Sequence, residues 1–293
     1  MTRPVAKAPR MAVKAAVIAA AAALGVAAAS PALAAGEAKH PRSGDFSFEG
    51  PFGTFDQGQL QRGYRVYREV CAACHGMNLM SFRNLGQEGG PFWDSHEPNP
   101  NNNRFVRAIA AEFEIADIDS ETGEAILRPG TPADAFPNPY PNATAAAAAN
   151  GGAFPPDLSV MAKARHDGAN YIYSLLSGYE DAPEGLRIAP GQYYNPYMAG
   201  DMTPFWDGDP DHVPYGGFIA MPNPLRDGQV TYDDGTEATV DQMSRDVAAF
   251  IAWASDPHAV QRKRTGMAVF IYLLLFAGLT YASYRRIWRN VAH

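Results

Sequence analysis

Cys71-Ala72-Ala73-Cys74-His75 follows directly on QLQRGYRVYREV, residues 59–70, and this stretch decides how the rest of the chain reads. Leu60, Tyr64, Tyr67 and Val70 recur at helical spacing, which predicts a helix over residues 59–70, and Gly63 allows a second helix to approach closely. The Cys-x-x-Cys-His run at its end is the attachment signature of a c-type haem. Its cysteines are the only two among 293 residues. Two intervening residues let both thiols reach one porphyrin edge, and the adjacent His75 then lies under the iron. A zinc site needs four ligands, and the chain has no second cysteine pair. A thioredoxin-like dithiol needs no histidine and goes with a βαβ pattern.

Helical spacing continues elsewhere. Met243, Val247, Phe250, Ile251 and Ala254 define one apolar face over residues 240–255, with Thr239 and Asp241 as start signals. Further helices are expected at 103–113 and 170–176. Few period-two runs occur, so the chain reads as mostly α with long loops. An N-terminal and a C-terminal helix crossing beside the haem is the class I cytochrome c arrangement. The stretch PNPYPNATAAAAANGGAFPPD, residues 137–157, reads as an ordered loop around a short helix or as a flexible insertion.

Both ends carry membrane-directed signals. Arg3, Lys7, Arg10 and Lys14 lead into an Ala/Val-rich stretch and the small-residue site Ala32-Leu33-Ala34, the layout of a secretory signal peptide over residues 1–34. Residues 267–284 (MAVFIYLLLFAGLTYASY) hold no charge across 18 positions, about 27 Å of helix, near the thickness of a bilayer core. Basic residues flank this run on both sides, so it is the signal peptide that orients it. The expected order is a signal peptide (1–34), a periplasmic haem domain (35–261), and an anchor with a short cytoplasmic tail (262–293, helix about 266–284). Residues 36–261 carry 14 basic against 31 acidic residues, a net of −17. Such a domain repels nucleic acid and anionic lipid and attracts a basic protein partner. Glu180, Asp181, Glu184, Asp207, Asp209, Asp211, Asp233 and Asp234 are candidates for that docking rim.

An electron-transfer haem needs a sixth iron ligand, usually Met or His, and a Met sulfur raises the potential. Met77, Met80, Met161, Met198, Met202, Met221 and Met243 are the candidates. Met77 and Met80 are too close to His75 in the chain to cross readily to the opposite haem face, and Met243 belongs to a helix face. Met221 sits in GGFIAMPNPL, where the prolines hold the loop extended. Spacing alone leaves the choice open.

Taken whole, the chain resembles the cytochrome c1 family, the haem subunit of the quinol:cytochrome c oxidoreductase (cytochrome bc1) complex of alphaproteobacteria and mitochondria. The resemblance rests on RGYRVYREVCAACHGMNLMSFRNL around Cys71, ANGGAFPPDLSVMAKARH ending at His166 and YIYSLLSGYEDAP starting at Tyr171. It continues through YYNPYMAGDM, GFIAMPNPL, YDDGTEATVDQMSRDVAAFIAWASDP and RKRTG. It implies one covalent haem c on Cys71 and Cys74, with His75 and Met221 as axial ligands and Arg165 and Tyr171 pairing with the propionates. It further implies cytochrome b and a Rieske iron–sulfur protein as partner subunits, and a cytochrome c as acceptor. The chain would then be a single-pass inner-membrane electron carrier, making and breaking no bond at its own iron. A haem enzyme with an open iron position, or another anchored monohaem cytochrome, are the rivals.

Overall fold

The computed structural model describes residues 37–290; the expected signal peptide and the last three residues lie outside them. Helix α1 (Gln57–Glu69) begins where the Asp56 carboxylate accepts from the Gln59 amide at 2.6 Å, a side-chain cap for an otherwise orphaned donor. It crosses α5 (Val240–Ser255), capped in the same way by Thr239. At the crossing a Cβ on Gly63 would lie 2.1 Å from the Asp246 carbonyl oxygen and 2.7 Å from Phe250 Cβ. Only glycine lets the two backbones meet there. Leu60, Tyr64, Val66 and Tyr67 point from α1 into the core.

Residues 240–255 differ from the single apolar face that their spacing predicts. Helix α4 (Gly168–Ser177) packs on α5 as well as α1 does, so Ser244, Asp246, Ala248, Ala249 and Trp253 are buried along with the expected face. Asp246 is fully enclosed, and Arg62 of α1 donates to it at 2.9 Å while Gln242 donates at 2.9 Å. Burial pushes the Asp246 carboxyl up and the Arg62 guanidinium pulls it back.

The remaining elements are short. Helix α2 (Arg104–Ala111) starts at Asn103, whose side chain caps Phe105 and Val106. Helix α3 (Ala143–Ala149) starts at Asn142 and orders the insertion over residues 137–157. Two antiparallel pairs of strands add a little sheet: β1 (Glu114–Ile118) with β2 (Ala125–Pro129), and β3 (Tyr193–Asn195) with β4 (Gly217–Ile219). The mostly helical, loop-rich class expected from the sequence is the class observed.

Helix α6 (Ala259–Trp288) runs 30 residues, about 45 Å. Its most apolar 18-residue window has mean hydropathy 1.8, with none of that window buried. A core helix would hide those side chains; this one presents Phe270, Ile271, Leu274 and Leu275 outward. Its root is tied to the domain, since Lys263 Nζ donates to the Phe48 carbonyl at 2.6 Å and Arg262 pairs with Asp256.

Candidate haem site

The end of α1 delivers the motif. Val70 closes the helix by donating to the Val66 carbonyl, and the chain tightens into a 3-10 turn over Cys71–Ala73. Cys74 and His75 both donate their amides to the Cys71 carbonyl, at 3.1 and 2.9 Å. One turn therefore carries both thiols and the imidazole. Both cysteines are free thiols, half-buried. Burial and then the neighbouring Cys74 push the Cys71 thiol up to about 12. Among the described residues there is no cluster of three or more His, Cys, Asp or Glu that could hold a metal ion.

His75 is oriented from outside its own segment. Its Nδ1 lies 2.7 Å from the Pro156 carbonyl. A carbonyl only accepts, so Nδ1 carries the proton and Nε2 keeps its lone pair. Burial lowers the His75 pKa and favours the neutral, ligating form. Metal-ligating histidines have this arrangement, the second nitrogen fixed by an acceptor.

The insertion over residues 137–157 wraps this turn. Asp157 accepts from the Asn78 amide at 2.7 Å, Ser159 from Leu79 at 3.0 Å, and the Gly76 carbonyl from Leu158 at 2.9 Å. A Cβ on Gly76 would lie 2.4 Å from Asn138 Oδ1, so glycine after His75 lets the insertion close down. Tyr140 Oη approaches Cys74 Sγ at 3.9 Å. The insertion is an ordered wall of the site, the first of the two readings its sequence allowed.

Burial separates the seven methionines. Met77, Met80, Met202 and Met243 are core residues, between 0% and 4% exposed. Met198 is half-buried, and its sulfur accepts from Tyr171 Oη at 3.6 Å. Met161 and Met221 are half-buried against the same core cluster as Cys71 and Tyr171. Met198 and Met221 each follow a strand, β3 ending three residues before the first and β4 two before the second, and Met221 is followed by Pro222 and Pro224.

Arg165 and Tyr171 lie six residues apart, on either side of the start of α4. Arg165 is exposed and donates to the Ala164 carbonyl at 3.1 Å, while the Tyr171 hydroxyl is directed at Met198. Pro156 meets His75, Tyr140 approaches Cys74 and Tyr179 bonds the Met221 carbonyl; none of the three was singled out by sequence. A backbone carbonyl such as that of Pro156 carries no sequence signal of its own.

The eight acidic candidates divide. Asp233 and Asp234 pair with Arg65 and Arg62 of α1, at 2.6 and 2.7 Å. The other six fall within residues 180–211, where Asp207 donates its amide to the Gly185 carbonyl beside a small second cluster of Leu186, Tyr194 and Met202. Of these, Glu180, Asp207 and Asp209 have Lys39, Arg187 and His212 as partners. Among the described residues no cation comes within salt-bridge reach of Asp181, Glu184 or Asp211. A separate groove of about 620 Å³, lined by Tyr64, Phe92, Phe105 and Asp233 among others, contains none of the motif residues.

A profile of the Cytochrome C1 family matches residues 46–291. The chain is 41% identical over 297 residues to the cytochrome c1 of Rhodospirillum rubrum, covering 96% of this chain and 98% of that one. It is 45% identical over 229 residues to the mitochondrial cytochrome c1 heme protein of Saccharomyces cerevisiae, covering 78% and 65%. It is 44% identical over 269 residues to the cytochrome b/c1 of Bradyrhizobium diazoefficiens. That match takes in 85% of this chain but only 36% of the longer relative.

Proposed function

The chain belongs to the cytochrome c1 family, and from that premise we propose that it carries one covalent haem c. It would relay electrons from a Rieske iron–sulfur protein to a cytochrome c, within a membrane complex that also holds cytochrome b. The observation that carries the reading is the 2.7 Å approach of His75 Nδ1 to the Pro156 carbonyl. It readies Nε2 for a metal on the same turn that bears two free thiols.

The residues fit the group. Addition of each thiol across a vinyl would place sulfur on one carbon and the proton on the other, so attachment would need no oxidant. Cys71 and Cys74 would hold the macrocycle, while His75 and Met221 would occupy the two axial positions. Arg165, exposed and with donors to spare, and Tyr171 would take the propionates, Arg165 through charge-assisted bonds. When bound, the haem supplies a one-electron couple at its iron. With both iron ligands coming from the chain, no substrate would bind at the metal, which would separate a relay from a haem enzyme. Asp181, Glu184 and Asp211 would offer unpaired negative charge to a cationic acceptor. The helix α6 anchors the domain, on the periplasmic side of the inner membrane if residues 1–34 act as an export signal.

The test is a haem-stained denaturing gel of membranes, followed by a redox spectrum of the detergent-purified protein. Colour that stays with the chain through denaturation, and a low-spin spectrum after reduction, are expected. Colour released by denaturation would sink the covalent reading. Cytochrome b and an iron–sulfur protein should co-purify in mild detergent.

A further inference from the structure

Met221 is held by more than its prolines. On its N-terminal side β4 pairs with β3, with Gly217 opposite Asn195 and Ile219 opposite Tyr193. Gly216 turns into that pair at φ +105, where a Cβ would lie 2.5 Å from the Asn195 carbonyl oxygen. Strand β3 is fixed in turn to α4, because Asn195 Nδ2 donates to the Leu175 carbonyl at 2.8 Å. On the other side Leu225, 2% exposed, anchors the segment in the core.

One contact closes this circuit at the methionine itself. Tyr179 lies just beyond the end of α4, and its hydroxyl donates to the Met221 carbonyl at 2.9 Å. Gly178, between them, is pressed against Tyr197: a Cβ there would lie 2.4 Å from that ring. Tyr179 therefore leaves the helix along a fixed path. The carbonyl it holds precedes a proline, and a residue before proline is already restricted to extended backbone. With ψ limited by Pro222 and the carbonyl direction fixed by Tyr179, the Met221 backbone has little freedom left. Its side chain, three rotatable bonds long, then starts from a fixed base.

We infer that Tyr179 is a positioning residue for the axial thioether: its hydroxyl sets the backbone of Met221 and so keeps the sulfur on the iron. The inference rests on Met221 being the sixth ligand and adds what maintains that bond. A thioether is a weak, neutral donor, so a loosened base should show as dissociation of the sulfur. The fold around it would persist.

The test compares Tyr179→Phe with Tyr173→Phe in the membrane-anchored haem protein. Tyr173 is on the same helix and gives its hydroxyl to Asp241, away from Met221. Tyr179→Phe should lose at least half of the near-infrared band that marks methionine-ligated ferric haem. Its ferrous form should bind carbon monoxide at least tenfold more readily. Tyr173→Phe should keep the band even where it lowers thermal stability. An unchanged band in Tyr179→Phe, or an equal loss in Tyr173→Phe, overturns the inference. If Tyr179→Phe does not accumulate with haem, Tyr179→Leu is judged by the same thresholds. Met221→Leu separates the two levels: a band that survives it removes the ligand assignment itself, whereas a band that survives only Tyr179→Phe removes the positioning role alone.

Discussion

His75 and Pro156 are 81 positions apart, Tyr179 and Met221 are 42 apart, and each pair is joined by one hydrogen bond. The first member of the motif pair could be read from sequence because Cys-x-x-Cys-His is local chemistry with a fixed spacing. Its acceptor could not, since a backbone carbonyl has no signature of its own. Met221 needed the family resemblance to stand out from six other candidate methionines, four of which are buried in the core. At this scale the axial assignment gives a firm expectation. Met221→Leu should abolish the low-spin spectrum and lower the midpoint potential by roughly 0.1 V or more, within the ~0.8 V that axial ligation spans. Redox titration of the purified protein measures it. Asp246 supports a second. Removing it would leave Gln242 and one edge of Arg62 without an acceptor while Asp234 still holds Arg62, so Asp246→Ala should destabilise the domain by about 2 kcal/mol. Denaturant unfolding followed by haem absorbance would show whether the loss is that large.

Helix α1 was legible because its apolar residues share one face. Helix α5 was legible in extent but not in environment, since a helix sandwiched between two others buries residues on several sides. Gly63 links the two. Gly63→Ala drives a methyl into the Asp246 carbonyl, so overpacking should cost about 1–3 kcal/mol. Separation of α1 from α5 should appear as faster amide exchange in both helices. The strands escaped the sequence reading because β1 and β2 expose nearly every residue, and β3 and β4 have three residues each. Charge braces the five-residue ladder of the β1–β2 hairpin: Arg128 of β2 bonds Asp117 of β1 at 2.5 Å and Asp134 at 2.7 Å. The Arg128 guanidinium holds the Asp134 carboxyl well below its ordinary 3.8. A carboxylate with a depressed folded pKa stabilises fully above the unfolded value and loses that contribution as pH falls beneath it. Hairpin amides should therefore exchange faster, relative to the core, below about pH 4 than at pH 6. Equal relative protection at both would show the ion pairs to be idle.

Across the molecule, the acidic excess was plain from composition, but its distribution was not. Two of the eight candidate acids are neutralised on α1, and Asp181, Glu184 and Asp211 are left uncompensated. Electron delivery to a basic cytochrome should slow severalfold as ionic strength rises from about 10 to 150 mM, because the screening length falls from ~30 to ~8 Å. Neutralising Asp181, Glu184 and Asp211 together should flatten that dependence, while neutralising Asp233 and Asp234 should leave it steep. Stopped-flow rates at several salt concentrations distinguish the two sets.

Only Asp256, Pro257 and His258 separate α5 from α6. The joint is braced by Arg262 and Lys163 on Asp256 and by Lys263 on the Phe48 carbonyl. So short a strut gives the redox centre almost no travel: its height above the bilayer is set by the chain's own geometry. Electron tunnelling weakens steeply with distance, so a donor and an acceptor that cannot both sit close at once must take turns. In the proposed relay the moving pieces would then be its neighbours, with this domain the fixed terminal at which they call.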